Sequence, residues 1–162
     1  MPLCYIAFGS NVEDRLNYII KALELLKGYG SIKKVSTLYL SQPWGKTDQP
    51  VFINGVLEFE TELNPIRLLE ILKNIERQAG RKPRERWGPR EIDLDILLYE
   101  NHILMLSFLR IPHPYLTERD FFLFPLLELN PNLIHPASKV KLQEYASRLE
   151  NNLTPFACLL PF

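Results

Sequence analysis

Two stretches of helical period, each set between strand-like runs, constrain this chain more than any other feature. Val12, Leu16, Ile19, Ile20, Leu23 and Leu26 recur at helical spacing to about Lys27. Leu68, Leu69, Leu72, Ile75 and Ala79 do so again after Asn64-Pro65, a cap followed by proline at the first helical position. Asn11 reads as the cap of the first helix, with Glu13 and Asp14 in its first turn, and "GYGS" ends it. The strand-like runs are 4–10, 32–40, 51–61 and the stretch that begins at Ile92. The order β-α-β-β-α-β predicts an α+β, ferredoxin-like core, an antiparallel sheet with both helices packed on one face. The other face is then left free for a site. Expected C-terminal additions are short strands in 101–112, a short helix within 117–130 and an amphipathic helix over 138–149. The tail "LTPFACLLPF" (153–162) is apolar to its last residue. It either folds back onto the body or is the cut edge of a longer, fused chain.

The 162 residues suggest one domain, 1–162, long enough to bury a core. No repeat, low-complexity run or linker interrupts it. A formal net charge of zero argues against coating nucleic acid by bulk charge. No apolar run approaches the roughly 20 residues that span a bilayer, and the start lacks a signal-peptide pattern, so no membrane partner is expected. Cys4 and Cys158 lie far apart without metal-ligand spacing. They read as two reduced thiols of a cytoplasmic protein.

The strand-like stretch "REIDLDILLYE" carries the strongest chemical signal. Ile92, Leu94 and Ile96 alternate with Asp93 and Asp95, so the two acids share one face, roughly 6.5–7 Å apart. Aspartate is depleted in strands, and two anions so close repel unless a cation lies between them. The segment just upstream, "RKPRERWGPR" (81–90), holds five cations and one anion. A basic loop on a neutral chain points to a local anionic ligand, although a merely solvated loop is the plain alternative. Mg2+ resolves the tension: it takes oxygen ligands and uses one or two carboxylates together with substrate phosphates. Arginines suit the same oxygens. No glycine-rich phosphate-loop or dinucleotide signature is present, so side chains must hold any nucleotide.

Two further clusters stand out. "SQPWGKTDQPVFINGV" (41–56) offers Trp44, Phe52 and Asn54, that is, aromatic faces for a flat heterocycle and an amide for its edge. "RIPHPYLTERDFFLFPL" (110–126) sets His113 between two prolines and spaces Arg119 two residues from Phe121. For Phe52, Phe121, Phe122 and Phe124 plain core packing is the competing explanation.

"RWGPREIDLDIL" resembles the signature of the 6-hydroxymethyl-7,8-dihydropterin pyrophosphokinase family of folate biosynthesis. "YIAFGSN" (5–11), "DQPVFIN" (48–54), Glu76 followed by "GR" (80–81), and "IPHPYLTERDFFLFPL" (111–126) resemble other segments of that family in the same order. The resemblance covers about residues 4 to 136. It implies an enzyme, a diphosphotransferase, that moves a pyrophosphoryl group from ATP to the hydroxymethyl group of a dihydropterin and releases AMP. It implies two Mg2+ ions on Asp93 and Asp95, with Arg81 and Arg90 assisting binding and transfer. Lys73, Glu76, Arg86, Trp87, Ile96, His113 and Arg119 resemble the residues around ATP. Phe52 and Phe121 resemble the pair that sandwiches the pterin, with Asn54 reading its edge and Ser41, Gln42 and Trp44 helping by their backbone. Lys73 stands where a glutamine is familiar and Phe52 where a tyrosine is. Lys82 and Arg84 receive no role. A fused or neighbouring folate-pathway enzyme is a further partner the resemblance leaves open.

An alternative of another class is a single-stranded RNA-binding module on the same kind of sheet, using its aromatics and the basic loop. Zero net charge, the lack of an RNP-type aromatic motif and the paired acids stand against it. An inactive regulatory relative is disfavoured because the acids, the arginines and Asn54 are all in place.

Overall fold

The computed structural model describes residues 1–43, 48–83 and 88–159. Strand β1 (Leu3–Ser10) leads to helix α1 (Arg15–Leu26) and a 3-10 turn (Lys27–Tyr29). Then follow β2 (Ser31–Val35), β3 (Leu38–Ser41), β4 (Phe52–Glu60), α2 (Pro65–Ala79) and β5 (Asp93–Tyr99). A two-stranded hairpin, β6 (Leu104–Met105) and β7 (Arg110–Ile111), precedes α3 (Asp120–Leu129), α4 (Leu142–Ala146) and β8 (Thr154–Ala157). The main sheet runs β5-β1-β4-β3-β8, with β2 also on β4, and every pairing is antiparallel. This is the expected ferredoxin-like core with additions after β5.

β1 lies inside the sheet, between β5 and β4, and is buried on both faces, which is why it reads as a nearly unbroken apolar run. Cys4, Ile6 and Phe8 face the helices. They meet Ile19, Leu23 and Leu26 of α1, and Leu68, Leu72 and Ile75 of α2. Fully burying such a side chain stabilises the fold by about 1.5–3 kcal/mol relative to leaving it in water. Tyr5 and Ala7 face the other way, toward Phe122, Leu123 and Leu126 of α3 and Leu142 of α4. The second face is therefore not left free: α3 and α4 cover part of it, and the site occupies the remainder.

Four details depart from expectation. Asn11 does not cap α1. The helix begins at Arg15, after Asp14 in a left-handed conformation (φ 67°), so Glu13 and Asp14 precede its first turn. The run 32–40 is two strands, because Ser36 interrupts the ladder. Its N–H donates to the carbonyl of Val56 (2.9 Å) while its hydroxyl oxygen accepts from the N–H of Val56 (2.9 Å). The helix expected over 138–149 shrinks to Leu142–Ala146. Nδ1 of His135 accepts from the N–H groups of Ala137 and Ser138, and Lys139 turns left-handed (φ 64°), which holds 135–141 in a turn. Residues 154–157 of the tail pair with β3, so this stretch folds back onto the sheet edge. Pro155 is tolerated there because β8 is an edge strand.

The second helix follows the sequence closely. Oδ1 of Asn64 accepts from the N–H of Arg67 (2.8 Å), Pro65 opens the helix, and Gly80 (φ 114°) closes it. Both cysteines are free thiols, Cys4 buried and Cys158 exposed. Among the described residues no helix is long and apolar enough to cross a membrane.

Candidate active site

On β5 the alternation read from the sequence is realised in space. Leu94 and Ile96 enter the helix-side core, while Asp93 and Asp95 line a cleft on the opposite face. Gly9 of β1, Ser41 and Gln42 at the end of β3, and Phe52 and Asn54 of β4 form one side. Arg119, Phe121 and Phe122 at the start of α3 form the other, and Gly88 and Arg90 close the end beside β5.

Three carboxylates meet at the β5 end of this cleft. Glu76 of α2 is almost fully buried. Its Oε2 accepts from the N–H of Leu94 (2.7 Å), and its Oε1 accepts from Arg81 (2.7 Å), with Lys73 3.7 Å away. Gly80 turns the chain so that Arg81 also reaches Oδ1 of Asp93 (3.1 Å). Glu76 thus ties α2, β5 and Arg81 into one unit. Burial raises its pKa, and Asp93 adds to the rise. Asp95 is pushed up from 3.8 to about 8, first by burial and then by the charges of Asp93 and Glu76. Arg119 and Lys73 oppose the shift without cancelling it. At Asp95 burial and the two neighbouring carboxylates outweigh the nearby cations. A hard divalent ion that also meets phosphate oxygens fits such a pair. Among the described residues no group of three or more His, Cys, Asp or Glu is placed so that it could hold a metal ion by itself. The two carboxylates therefore suit an ion completed by substrate and water, not a closed protein cage.

At the other end the cleft is aromatic. Phe52 and Phe121 both line it. The Ser41 hydroxyl donates to Oδ1 of Asn54, which fixes the amide, and Gly9 leaves it room: a Cβ there would come 2.5 Å from Nδ2 of Asn54. Arg119 lies over the rings of Tyr115 (4.4 Å) and Phe122 (5.3 Å). His113 packs edge-on against Phe122 (4.8 Å), and its Nδ1 accepts from the N–H of Tyr115 (3.1 Å). Burial, reinforced by Arg119, lowers the His113 pKa to about 4. The ring is neutral at physiological pH, and with Nδ1 accepting, its proton sits on Nε2 as a donor.

Asp93, Asp95, Arg90, Ser41, Gln42, Phe52, Asn54, Arg119 and Phe121 therefore come together in one cleft. Arg81, Glu76 and Lys73 form a cluster behind Asp93. The side chain of Ile96 belongs to the helix-side core, because it shares the parity of Leu94, which leaves only its backbone toward the cleft side. Trp44, Arg86 and Trp87, like Arg84, lie outside the described residues. Lys82 donates its backbone N–H to Glu91 (3.1 Å).

Sequence reasoning missed Phe122, Gly9 and the true role of Asn11. Asn11 is fully buried. Its Nδ2 donates to Oε1 of Gln49 and to the carbonyl of Pro50 (both 3.1 Å). Its Oδ1 accepts from the N–H of Arg90 (2.8 Å), and its own N–H donates to the carbonyl of Arg90 (3.0 Å). One side chain thus holds both loops that flank the cleft. Nothing local in the sequence signals this, since its partners lie 38 to 79 positions away.

A sheet cleft that sets paired carboxylates and arginines beside an aromatic slot defines a class, a transferase that handles a polyphosphate next to a flat heterocycle. The chain belongs to the 7,8-dihydro-6-hydroxymethylpterin-pyrophosphokinase (HPPK) family, whose model matches residues 5–131. The 2-amino-4-hydroxy-6-hydroxymethyldihydropteridine pyrophosphokinase of Aquifex aeolicus is 48% identical over 160 residues, covering 99% of each chain. The Bacillus subtilis protein of the same name is 43% identical over 129 residues, 78% of this chain and 77% of that one. The fold is similar to that of Plasmodium falciparum HPPK-DHPS, with a TM-score of 0.73 at 17% identity. That likeness covers 91% of this chain and 43% of the Plasmodium chain, and it speaks to the fold alone.

Proposed function

We propose that this chain transfers pyrophosphate from ATP to the hydroxymethyl group of 6-hydroxymethyl-7,8-dihydropterin, yielding the pterin diphosphate and AMP in folate biosynthesis. The observation that carries this reading is one cleft holding Asp93 and Asp95 at one end and Phe52, Asn54 and Phe121 at the other. The pterin stacks between Phe52 and Phe121. Asn54, fixed by Ser41, reads its edge, and the backbone of Ser41, Gln42 and Trp44 assists. The triphosphate lies toward β5, where Arg81, Arg90, Arg119 and the Nε2–H of His113 supply positive charge and a donor. Lys73, Arg86, Trp87 and the backbone at Ile96 complete the nucleotide side, and Glu76 acts through the arginine and strand it holds.

The substrate hydroxyl attacks the β-phosphorus in line. The new O–P bond forms as the bond to the α-phosphate bridging oxygen breaks, the hydroxyl proton leaves, and AMP departs. Such transfer needs alignment and charge neutralisation more than covalent help. Asp93 and Asp95 would hold Mg2+, two ions in our reading, which lowers the hydroxyl pKa and neutralises phosphate charge. Arg81, bonded to Asp93 in the ligand-free protein, would turn to the phosphate oxygens of bound ATP. Closing the slot around the pterin excludes water that would otherwise take the phosphoryl group.

We place the protein in the cytoplasm, in keeping with its two free thiols, and without nucleic-acid or membrane partners. A fused or neighbouring folate enzyme is a further proposal, motivated by the HPPK-DHPS relatives. The decisive test is incubation with Mg-ATP and the hydroxymethyl dihydropterin, followed by separation of nucleotides. AMP in step with pterin diphosphate is expected, and ADP as the main nucleotide product would overturn the assignment.

A further inference from the structure

The chain beyond residue 131 lies outside the family match, yet it reaches both walls of the aromatic slot. On one side β8 pairs with β3, Thr154 opposite Leu40 and Pro155 opposite Tyr39, just before Ser41. Ser41 in turn is paired with Phe52 across β3 and β4. On the other side the backbone N–H of Asn152 donates to Oδ2 of Asp120 (3.0 Å), the residue next to Phe121 at the start of α3. Leu149 packs into the same apolar cluster as Phe121. A shallow hollow separates this segment from the slot, with Ser41, Gln42 and Phe121 as the shared wall. No side chain caps the N-terminus of α3. A covalently continuous stretch of nine residues therefore joins the Ser41–Phe52 wall to the Phe121 wall.

We propose that residues 149–157 are a positioning strap for the pterin slot, fixing the Phe121 wall against the Ser41–Phe52 wall and so setting affinity for the pterin rather than for ATP. The inference rests on the pterin reading given above. Two walls carried by different elements hold a flat ring well only if their spacing is set before the ring arrives, because ordering them afterwards subtracts from affinity. The bonds of the strap run to β3 and to Asp120, away from Asp93, Arg81 and His113 on the nucleotide side.

The test uses the full chain with Asp120→Ala, which removes the acceptor of the Asn152 N–H, and Asp120→Asn, which keeps an oxygen there. A second variant ends the chain after Asn151 and so lacks the strand. For the alanine variant KM for the pterin should rise about fivefold, the scale of one lost hydrogen bond, with KM for ATP within about twofold of wild type. The asparagine variant should restore it, and the shortened chain should show the larger rise. A folded alanine variant with unchanged pterin KM overturns the strap, as does a parallel rise in both KM values. A wild-type chain that makes no AMP overturns the assigned reaction and the strap's substrate with it. Normal wild-type turnover with unaffected variants overturns the strap alone.

Discussion

The two faces of β5 obey different rules over the same seven residues. On the helix side Leu94 and Ile96 are closed over by α1 and α2, and nothing there calls for a further component. On the cleft side Asp93 leans on Arg81, while Asp95 meets only partial compensation, and its proton is held to about pH 8. One face is complete as folded. The other crowds carboxylates whose charge burial disfavours, an arrangement that the proposed cation and phosphates would complete. A strand that maximised stability would not place two carboxylates above a buried third, Glu76. Buried, crowded carboxylates of this kind mark a site built for a bound state that differs from the free one.

The largest effect that sharpens this contrast comes from Asp95→Asn. It removes a carboxylate that we propose holds the metal, so turnover should fall by roughly 10²–10³-fold or more. It also removes the charge conflict, so the ligand-free protein should gain stability at about pH 8. In the ligand-free protein the Asp95 pKa lies above its unfolded value, so its contribution to stability is fully present at low pH. That contribution is lost as pH rises toward and through about 8, at no more than about 1.4 kcal/mol per pH unit. Thermal melts in chelator at about pH 6 and 8 should show this loss in wild type and a flatter profile in Asp95→Asn. Equal slopes in the two proteins would break the contrast.

On the complete face the expectation is reversed. Leu23 is fully buried against β1, and Leu23→Ala should cost about 2–5 kcal/mol of stability through lost burial and a cavity. Below the melting temperature kcat and both KM values should stay near wild type, since Leu23 packs on the helix side of the sheet and does not itself line the cleft. Denaturant unfolding alongside steady-state kinetics separates the two. A fall in kcat matching the Asp95 variant would show that the faces are not independent.

Much of this architecture was legible because it rests on local periodicity. The period-2 alternation of Ile92 to Ile96 gave the faces of β5, and the Asn64-Pro65 start gave α2 to the residue. What stayed hidden depends on partners distant in sequence or on side chains that compete with the backbone. Ser36 splits a strand that looks continuous, and His135 holds a turn where the pattern reads as helix. The carboxylates and aromatics announced a site by their type, but the tie from Glu76 to Leu94 crosses 18 positions and leaves no local trace. Asn11 is the clearest case. A polar residue ahead of an amphipathic run fits a cap, and only the assembled loops reveal what its amide does.

Asn11 also gives the smallest of the expected effects. It belongs to neither face, since its bonds run to Gln49, Pro50 and Arg90, the rims of the cleft. Asn11→Ala leaves the N–H of Arg90 and the carbonyl of Pro50 without that amide. The rim keeps some access to water, so the cost should be about 1–2 kcal/mol, less than for Leu23→Ala. The kinetic signature distinguishes it from a purely structural loss. Arg90 would keep its charge but lose its fixed place, so kcat should drop by about tenfold, less than for Asp95→Asn. Asn11→Asp keeps the acceptor for Arg90 and loses the donor to Gln49 and Pro50. If it recovers most of the kcat, the Arg90 bond carries the effect. If it behaves like alanine, the donor side toward the 48–51 loop does.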